Sequence, residues 1–273
     1  MPLSMETDKQ AVADYWSEAS CGERYSTGRT RLSRLDSQAE ERYRLEPYIR
    51  DFADFPAASG KRVHEIGVGM GADHLEFAKA QPALLIGIDL TERAVEFTKD
   101  RLKLHGFVPA VQVADAEELP FRDESFDIVY SYGVLHHSPD TPRAIREVYR
   151  VLAPGGIGRI MIYHRYSMVG YLLWLRYGLL AGAPSRPLRE IYSRYLESPG
   201  TQAFTKEEAL EMFRHFRTVS ISTPLGFDDL LQGEVGQRHR GLLLSLTKRL
   251  YPRWLIKKVF PDHGLGMMIR AEK

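Results

Sequence analysis

A chain of 273 residues with 44% apolar and 27% charged side chains has the composition of a soluble globular domain, near the upper length for one hydrophobic core. Its net charge of +1 gives no overall signal for nucleic-acid binding, and its single cysteine excludes an intrachain disulfide and a multi-cysteine zinc site. Met1–Tyr15 has no apolar signal segment. The longest apolar run, Met168–Leu175, is far shorter than the about 18 residues that a membrane span needs. We therefore expect a cytoplasmic protein.

Residues 1–58 are predicted to form a helical, charged N-terminal segment before the sheet, which we call the preface. A charge-rich helix is predicted around Ser37–Phe52, and the turn Pro56–Gly60 separates it from the first strand. From residue 61 to residue 163, short apolar runs alternate with helical patterns, which is typical of a parallel α/β sheet.

The most informative segment is Val63–Gly71, which reads Val-His-Glu-Ile-Gly-Val-Gly-Met-Gly. It predicts a strand followed by a glycine-rich turn that opens a helix. Glycine allows a sharp turn and a close approach to a ligand, because a Cβ would block one or both. Such a loop binds nucleotide-like ligands at the carboxyl end of a strand. Gly67, Gly69 and Ala72 also fit the dinucleotide pattern, but Glu65 would repel a pyrophosphate and suits a cationic ligand.

Three further strands follow the loop. Leu84–Leu90 is the second and places Asp89 22 residues after Gly67, where an acid can bind ribose hydroxyls. The third strand ends at Asp115, and the fourth, Ser125–Ser131, leads into Gly-Val-Leu-His-His. These strands predict a site built from the carboxyl edge of one sheet.

Five motifs occur in the order Glu-Ile-Gly-Val-Gly-Met-Gly, Gly-Ile-Asp-Leu, Ala-Asp-Ala-Glu-Glu-Leu-Pro-Phe, Ser-Phe-Asp-Ile-Val-Tyr-Ser-Tyr-Gly-Val-Leu-His-His and Leu-Ala-Pro-Gly-Gly. Together they resemble the class I S-adenosylmethionine-dependent methyltransferases, and most closely the ubiquinone- and menaquinone-biosynthesis methyltransferases and their small-molecule relatives. The resemblance is close over Lys61–Tyr163. It implies a Rossmann-like α/β fold with a seven-stranded sheet, mostly parallel with an antiparallel last strand, and helices on both faces.

The resemblance also implies how the chain is organised. We expect a single methyltransferase domain over 1–273, with a helical cap or lid at 1–58, a cofactor-binding core at 61–163 and substrate-side insertions at 164–203 and 224–260. Thr205 predicts the N-cap of a helix that runs to about Phe216, followed by strand six at Thr218–Thr223. Leu265–Glu272 is the expected last strand, antiparallel and at the edge of the sheet.

S-adenosylmethionine is the implied cofactor, with S-adenosylhomocysteine as its product. Asp89 would accept hydrogen bonds from the ribose hydroxyls, Asp115 and the Ala116 amide would bind adenine, and Glu65 would orient the loop and attract the ammonium group. In the alternative interpretation, Glu65 and Asp115 only cap neighbouring loops. The implied cofactor-binding set is Tyr25, Glu65, Gly67, Gly69, Gly71, Asp89, Leu90, Asp115, Ala116, Glu117 and Ser131.

The reaction expected is an in-line displacement at a methyl group activated by sulfonium. Alignment of the nucleophile with the methyl group can supply roughly 7–11 kcal/mol, whereas a general base supplies about 10²–10⁴-fold, so a base is optional. His136 and His137 are the candidate bases, because the loop after strand four borders the methyl-transfer site in this fold. Alternatively, one histidine packs on the sheet and the other orders the loop. No metal site is expected.

Residues for substrate binding are expected in the preface and the two insertions. Tyr15 and Trp16 are candidates in the lid, and Tyr171 and Trp174 in the apolar first insertion; all four also fit ordinary core positions. Residues 236–260 hold seven Lys or Arg and no acid, interleaved with leucines and Trp254. This pattern fits a solvated basic face, a phosphate-bearing substrate, nucleic acid or peripheral contact with an anionic membrane.

The sequence therefore predicts a methyltransferase that acts on a hydroxyl or activated carbon of a hydrophobic or aromatic small molecule. The alternatives are a lipid or prenylated substrate at a membrane surface, and a non-catalytic S-adenosylmethionine-binding scaffold. An NAD-dependent dehydrogenase is disfavoured by Glu65. Amino methylation of nucleic acid is disfavoured because Ser131–Val134 lacks the Asn/Asp-Pro-Pro-Tyr/Phe motif of such enzymes.

Overall fold

The structure, a computed structural model, describes residues 5–232, 249 and 251–273. The strands are β1 (Arg62–Ile66), β2 (Leu84–Asp89), β3 (Val111–Val113), β4 (Phe126–Tyr132), β5 (Leu152–Tyr163), β6 (Thr218–Ser222) and β7 (Gly266–Glu272). The helices are α1 (Met5–Glu18), α2 (Arg31–Leu45), α3 (Tyr48–Ala53), α4 (Ala72–Lys79), α5 (Glu92–Leu104), α6 (Thr141–Val151), α7 (Met168–Trp174), α8 (Leu188–Tyr195), α9 (Lys206–Met212) and α10 (Arg253–Val259). In this part of the chain, no helix is long and apolar enough to cross a membrane.

The seven strands form one sheet in the order β3-β2-β1-β4-β5-β7-β6. Strands β1 to β5 pair in parallel, and β7 pairs antiparallel with β5 and with β6. The predicted fold class is confirmed: a Rossmann-like, mostly parallel sheet with an antiparallel last strand. The order reverses between β1 and β4, which is where open α/β sheets bind ligands outside the carboxyl ends of the strands.

The predicted edge position of the last strand is wrong. Strand β7 lies between β5 and β6, so β6 forms the edge. The reason is visible in burial: Met267, Met268 and Ile269 of β7 are all buried, whereas β6 alternates exposed and half-buried residues. A strand that is apolar on both faces must be covered on both, and the polar alternation of β6 suits an edge.

Two predicted helices are also shorter than expected. The helix expected around Ser37–Phe52 is broken into α2 and α3 at Glu46 and Pro47, because proline lacks an amide donor and disfavours helical backbone in the residue before it. Thr205 is the N-cap that the sequence predicts, and its side chain accepts the Glu208 amide. However, α9 ends at Met212, well before residue 216.

Helices cover both faces of the sheet. On one face, Val63 of β1 and Tyr130 of β4 pack with Ile49, Phe55 and Phe77. On the other face, the core includes Val129, Ile160 and Ile269 of the sheet together with residues of α6 and α9, among them Val148 and Ala209. The two cores hold the carboxyl ends of β1, β2 and β4 in fixed positions, and the candidate site lies there.

Candidate functional site

A cavity of about 490 Å³ opens at the carboxyl ends of the strands. Its size falls in the range of about 300–1,000 Å³ that is usual for small-molecule sites. One end is formed by the glycine loop, Asp89 and Asp115, and the other by apolar side chains of α7 and β5. Residues of α1 and α2 also line it. Of the predicted site residues, those that line the cavity are Tyr15, Trp16, Tyr25, Glu65, Gly67, Gly69, Asp89, Leu90, Asp115, Ala116, Glu117 and His137.

The three loop glycines have positive φ angles of 81°, 52° and 76°, but they serve different purposes. A Cβ on Gly67 would clash with the side chain of Val134, and one on Gly71 would lie 2.8 Å from the Thr98 hydroxyl. A Cβ on Gly69 would meet nothing within 4 Å. Gly67 and Gly71 therefore allow close packing of the protein, with Gly71 behind the cavity lining, whereas Gly69 leaves backbone open to a ligand.

Asp89, at the end of β2, is hydrogen-bonded to the glycine loop. One carboxylate oxygen accepts the Gly69 amide at 3.1 Å, and the other accepts the amide and the hydroxyl of Thr91, both at 3.0 Å. Burial raises the pKa of Asp89, although these hydrogen bonds act against it. Asp89 thus holds the loop in place and also presents its carboxylate to the cavity.

Glu65 lies beneath the loop and is fully enclosed. His74 Nδ1 is 2.8 Å from a carboxylate oxygen of Glu65. Burial raises the pKa of Glu65 well above its ordinary value, Asp73 adds to the rise and Arg42 opposes it. Burial also lowers the pKa of His74 to about 3, so the imidazole is neutral and can donate its Nδ1 hydrogen to Glu65. The contact joins Glu65 to α4, and its role toward the loop and the ammonium group stays a prediction.

A buried ion pair beside the loop was not predicted from the sequence. Asp73, in the first turn of α4, accepts two hydrogen bonds from Arg42 of α2, at 3.1 and 2.7 Å. The hydroxyls of Tyr43 and Tyr130 donate to the same carboxylate at 2.9 and 2.8 Å. The network joins the helical preface to α4, the helix that follows the glycine loop.

Asp115 and Glu117 follow β3 and share one lysine. Lys9 of α1 lies 2.7 Å from Asp115 and 2.5 Å from Glu117, and the Asp140 amide donates to Glu117 at 2.9 Å. Burial acts to raise the pKa of Glu117, but hydrogen bonds from Lys9, Ser138 and Asp140 outweigh it and hold the pKa below its ordinary value. Helix α1 is therefore fixed over this end of the cavity.

The two predicted histidines lie in different surroundings. His136 is fully buried behind the cavity lining; its ring centroid is 3.7 Å from that of Tyr163, and neither ring nitrogen has a hydrogen-bond partner within the described part of the chain. His137 lines the cavity, with Nδ1 at 2.8 Å from the Ser198 hydroxyl and Nε2 at 3.5 Å from Glu197. Burial lowers the pKa of His137 to about 3, so its imidazole is neutral near pH 7.

Two of the four predicted substrate residues line the cavity and two do not. Tyr15 and Trp16 of α1 line the cavity, and the ring of Trp16 packs edge-on against His137 at 5.2 Å. Tyr171 and Trp174 of α7 do not line it: the Tyr171 hydroxyl contacts His263 at 3.0 Å, and the Trp174 indole donates to a backbone carbonyl at 3.1 Å. Helix α7 instead contributes Val169, Leu172 and Leu173 to the lining.

Ser131 is one of the predicted cofactor-binding residues. It is fully buried and does not line the cavity.

Three acidic side chains near the apolar end were not predicted from the sequence. Glu46, Glu197 and Asp228 all line the cavity. The Tyr132 hydroxyl donates to Glu46 at 2.9 Å, and the Tyr163 hydroxyl donates to Glu197 at 2.8 Å. Burial raises the pKa of Glu46 and, to a greater degree, that of Asp228, whose rise Glu46 reinforces. These acids come from segments far apart in the chain, and no motif indicates them.

His136, His137 and Glu197 place potential metal-ligand atoms within 4.8 Å of one another. Two of them already have protein partners, since Ser198 is hydrogen-bonded to His137 and Tyr163 to Glu197. We assign no metal to this group, and the absence of a metal site stays a prediction. The predicted basic segment 236–260 lies outside the described residues except for residues 249 and 251–260.

Known proteins identify the class of domain. Residues 64–160 match the family model described as a methyltransferase domain. The chain is 40% identical over 103 residues to the 27-O-demethylrifamycin SV methyltransferase of Amycolatopsis mediterranei, covering 37% of this chain and 38% of that protein. It is 41% identical over 101 residues to the phthiotriol/phenolphthiotriol dimycocerosates methyltransferase of Mycobacterium leprae, covering 36% of each. The matches thus span under two fifths of these relatives.

Solved structures show the same fold. An S-adenosylmethionine-dependent methyltransferase from Mesorhizobium loti superposes with a TM-score of 0.54 at 18% identity, covering 88% of this chain and all of that one. Residues 64–160 therefore match a methyltransferase domain, as the motifs in this part of the chain predict.

Proposed function

We propose that this protein transfers a methyl group from S-adenosylmethionine to a hydroxyl or activated carbon of a hydrophobic or aromatic small molecule, by in-line displacement. The observation that carries the proposal is one continuous cavity that joins the glycine loop and Asp89 to an apolar end lined by Met161, Leu172 and Leu173. A cofactor and an apolar acceptor can share such a space, and the surrounding helices limit the access of water.

The residues at the loop end fit S-adenosylmethionine. Gly69 leaves open space beside the backbone, and the Asp89 carboxylate has acceptor capacity left for ribose hydroxyls. Asp115 is half-exposed in the lining, where it can accept from adenine. The cofactor supplies a methyl group that its sulfonium cation has already activated.

Replacing Asp89 with alanine should weaken S-adenosylmethionine binding at least about tenfold. The variant loses charge-assisted hydrogen bonds worth about 1.5–3 kcal/mol each and releases the Gly69 amide. Calorimetric titration measures the change. Glu96→Ala, on the exposed face of α5, is the matched control and should bind like the wild type. Equal affinity of Asp89→Ala and the control would remove Asp89 from the cofactor site.

The apolar end supports a hydrophobic acceptor. One relative is named for 27-O-demethylrifamycin SV, a name that places the methyl group on an oxygen, and another is named for phthiotriol. Hydroxyl groups of an acceptor can also hydrogen-bond to Glu46, Glu197 and Asp228. A quinol of the kind suggested by the sequence resemblance and a hydroxylated lipid both fit this description.

Among the predicted bases we propose His137 and not His136. His137 lines the cavity and is neutral, and its Nε2 has no hydrogen-bond partner in the described part of the chain, so this nitrogen can accept a proton from a bound hydroxyl. Ser198 holds the other ring nitrogen and fixes the orientation of the ring. His136 packs on Tyr163 and does not line the cavity.

We further propose that the N-terminal preface is a lid. Lys9, Tyr15, Trp16 and Tyr25 all lie along the cavity, and Lys9 pairs with Asp115 and Glu117. Substrate specificity then depends on the segments 164–203 and 224–260, which contribute Leu172, Leu173, Glu197 and Asp228 to the apolar end in the described residues.

The test is transfer of a radiolabelled methyl group from S-adenosylmethionine to a panel of phenols, quinols, hydroxylated macrolactams and hydroxylated lipids. We expect label in one or more hydrophobic acceptors, and none in transfer RNA. Asp89→Ala protein gives the background. A protein that binds S-adenosylmethionine yet labels no member of the panel would instead support the non-catalytic scaffold.

A further inference from the structure

Seven large apolar side chains are exposed in two segments, one after α7 and one in and beside α10, which we call the mouth face. It comprises Leu175, Leu179, Leu180, Trp254, Leu255, Val259 and Phe260. The exposed fraction reaches 72% for Trp254 and 71% for Leu180. An exposed group of side chains this large and apolar marks an interaction surface more often than chance exposure.

Helix α10 packs near α7, from which the other segment leads on. Ile256 is buried in a cluster with Met168 of α7, so α10 turns its other apolar residues outward. The ring of Phe260 is 5.2 Å from that of His263, and His263 contacts the Tyr171 hydroxyl. Tyr171 lies in α7, and Leu175 and Leu179 lie in the one-turn π-helix, Leu175–Leu179, that continues directly from α7.

The mouth face is continuous with the cavity. Leu175, Arg176 and Leu180 line the cavity, and all three are also exposed to solvent. Leu172 and Leu173 lie one turn earlier in α7 and line the cavity further in. An apolar path therefore runs from the outer surface to the apolar end of the candidate site.

Basic side chains accompany the apolar ones. Lys257 and Lys258 of α10 are exposed beside Trp254 and Val259, and Arg176 is exposed at the cavity rim. Helix α10, from Arg253 to Val259, contains no acidic residue. A helix with exposed Trp, Leu and Val and adjacent lysines has the composition that binds the interface of an anionic bilayer.

We propose that the mouth face docks on an anionic lipid bilayer, so that an apolar acceptor passes from the membrane directly into the cavity. The proposal deepens the proposed function, on which its acceptor part rests. Nucleic acid would engage the lysines but leave Leu180, Trp254 and Val259 in water. If this face bound a second copy of the chain, the lysines of α10 in one copy would meet α10 of the other. That helix has no acidic residue to pair with them.

The experiment measures binding of the full chain to phosphatidylcholine vesicles with and without phosphatidylglycerol, by cosedimentation at low and high salt. We expect binding to the anionic vesicles that weakens with salt. Leu180→Ser and Trp254→Ala should each lower the partition coefficient at least about tenfold, through the loss of inserted apolar area. Lys257→Gln and Lys258→Gln should each lower it about fivefold at low salt.

The matched controls are distant from the mouth face. Val108 is 93% exposed in the loop before β3, at the edge of the sheet opposite the cavity, and Lys103 is exposed near the end of α5. Val108→Ser and Lys103→Gln should bind vesicles like the wild type. Since all six substituted side chains are exposed, the variants should fold, and circular dichroism melts check this.

Three outcomes would overturn the proposal. These are no wild-type binding to anionic vesicles at low salt, unchanged binding of Leu180→Ser and Trp254→Ala, or self-association in sedimentation velocity that these two variants abolish without any vesicle binding. Titration with S-adenosylmethionine on the same proteins separates the two proposals. Its failure would contradict the proposed function, whereas the vesicle result tests the docking surface alone.

Discussion

Replacing Arg42 with methionine should lower the free energy of unfolding by about 3–5 kcal/mol, measured by urea denaturation at neutral pH. Arg42 donates two hydrogen bonds to Asp73, a side chain that is only 5% exposed. Methionine fills much of the same volume but leaves the carboxylate buried with only the hydroxyls of Tyr43 and Tyr130 as partners. A buried charge without its counter-ion is the costly case.

Arg50→Met is the matched control for this prediction. Arg50 forms an ion pair with Glu76 at 3.2 Å, but its side chain is 52% exposed, so its loss should cost less than about 1 kcal/mol. If Arg42→Met cost no more than Arg50→Met, the network of Arg42 and Asp73 would not stabilise the fold.

The same ion pair predicts a pH dependence. Burial acts to raise the pKa of Asp73, but Arg42 and the tyrosine hydroxyls outweigh it and hold the pKa below its ordinary value of 3.8. A carboxyl with a lower pKa in the folded state stabilises the fold above pH 3.8, and the contribution is lost as pH falls through the folded-state pKa. The difference in stability between wild type and Arg42→Met should therefore shrink at strongly acidic pH.

Replacing His137 with alanine should lower turnover by about 10²-fold or more and leave S-adenosylmethionine affinity within about twofold. His137 borders the apolar end of the cavity and is held by Ser198, so its removal takes away a proton acceptor without disturbing Asp89. The assay uses the acceptor that the labelling panel identifies, with kcat and KM determined separately.

The comparison with His136 and the pH profile make this prediction sharper. His136→Phe keeps a ring against Tyr163 and should lower turnover less than about fivefold, because His136 does not line the cavity. Since burial lowers the pKa of His137 to about 3, protonation of this residue should not reduce activity near pH 6. A loss below about fivefold for His137→Ala would leave positioning alone as the source of catalysis.

The sequence was most informative where function requires particular local geometry. The glycines and Asp89 could be predicted because a turn with positive φ and an acid at a strand end follow each other closely in the chain. Strands β1 and β4 are mostly buried on both faces, and β2 appears in the sequence as an apolar run that ends at Asp89. Their order along the chain predicts the parallel sheet.

Contacts between distant segments could not be predicted. Lys9 and Asp115 are in contact but lie 106 residues apart in the sequence, and Arg42 and Asp73 lie 31 residues apart. No local sequence pattern therefore indicates either pair. In α7 the apolar residues surround the helix, which leaves its rotation undetermined from sequence. Packing turns Leu172 and Leu173 toward the cavity, and Tyr171 and Trp174 toward other partners.

Calorimetric titration of the purified protein shows whether the loop from Gly67 to Gly71 binds S-adenosylmethionine. S-adenosylmethionine, S-adenosylhomocysteine and NAD are titrated in parallel. We expect micromolar binding of the first two and none of NAD. Binding of NAD alone would contradict the account, because the glycine loop would then be a dinucleotide site.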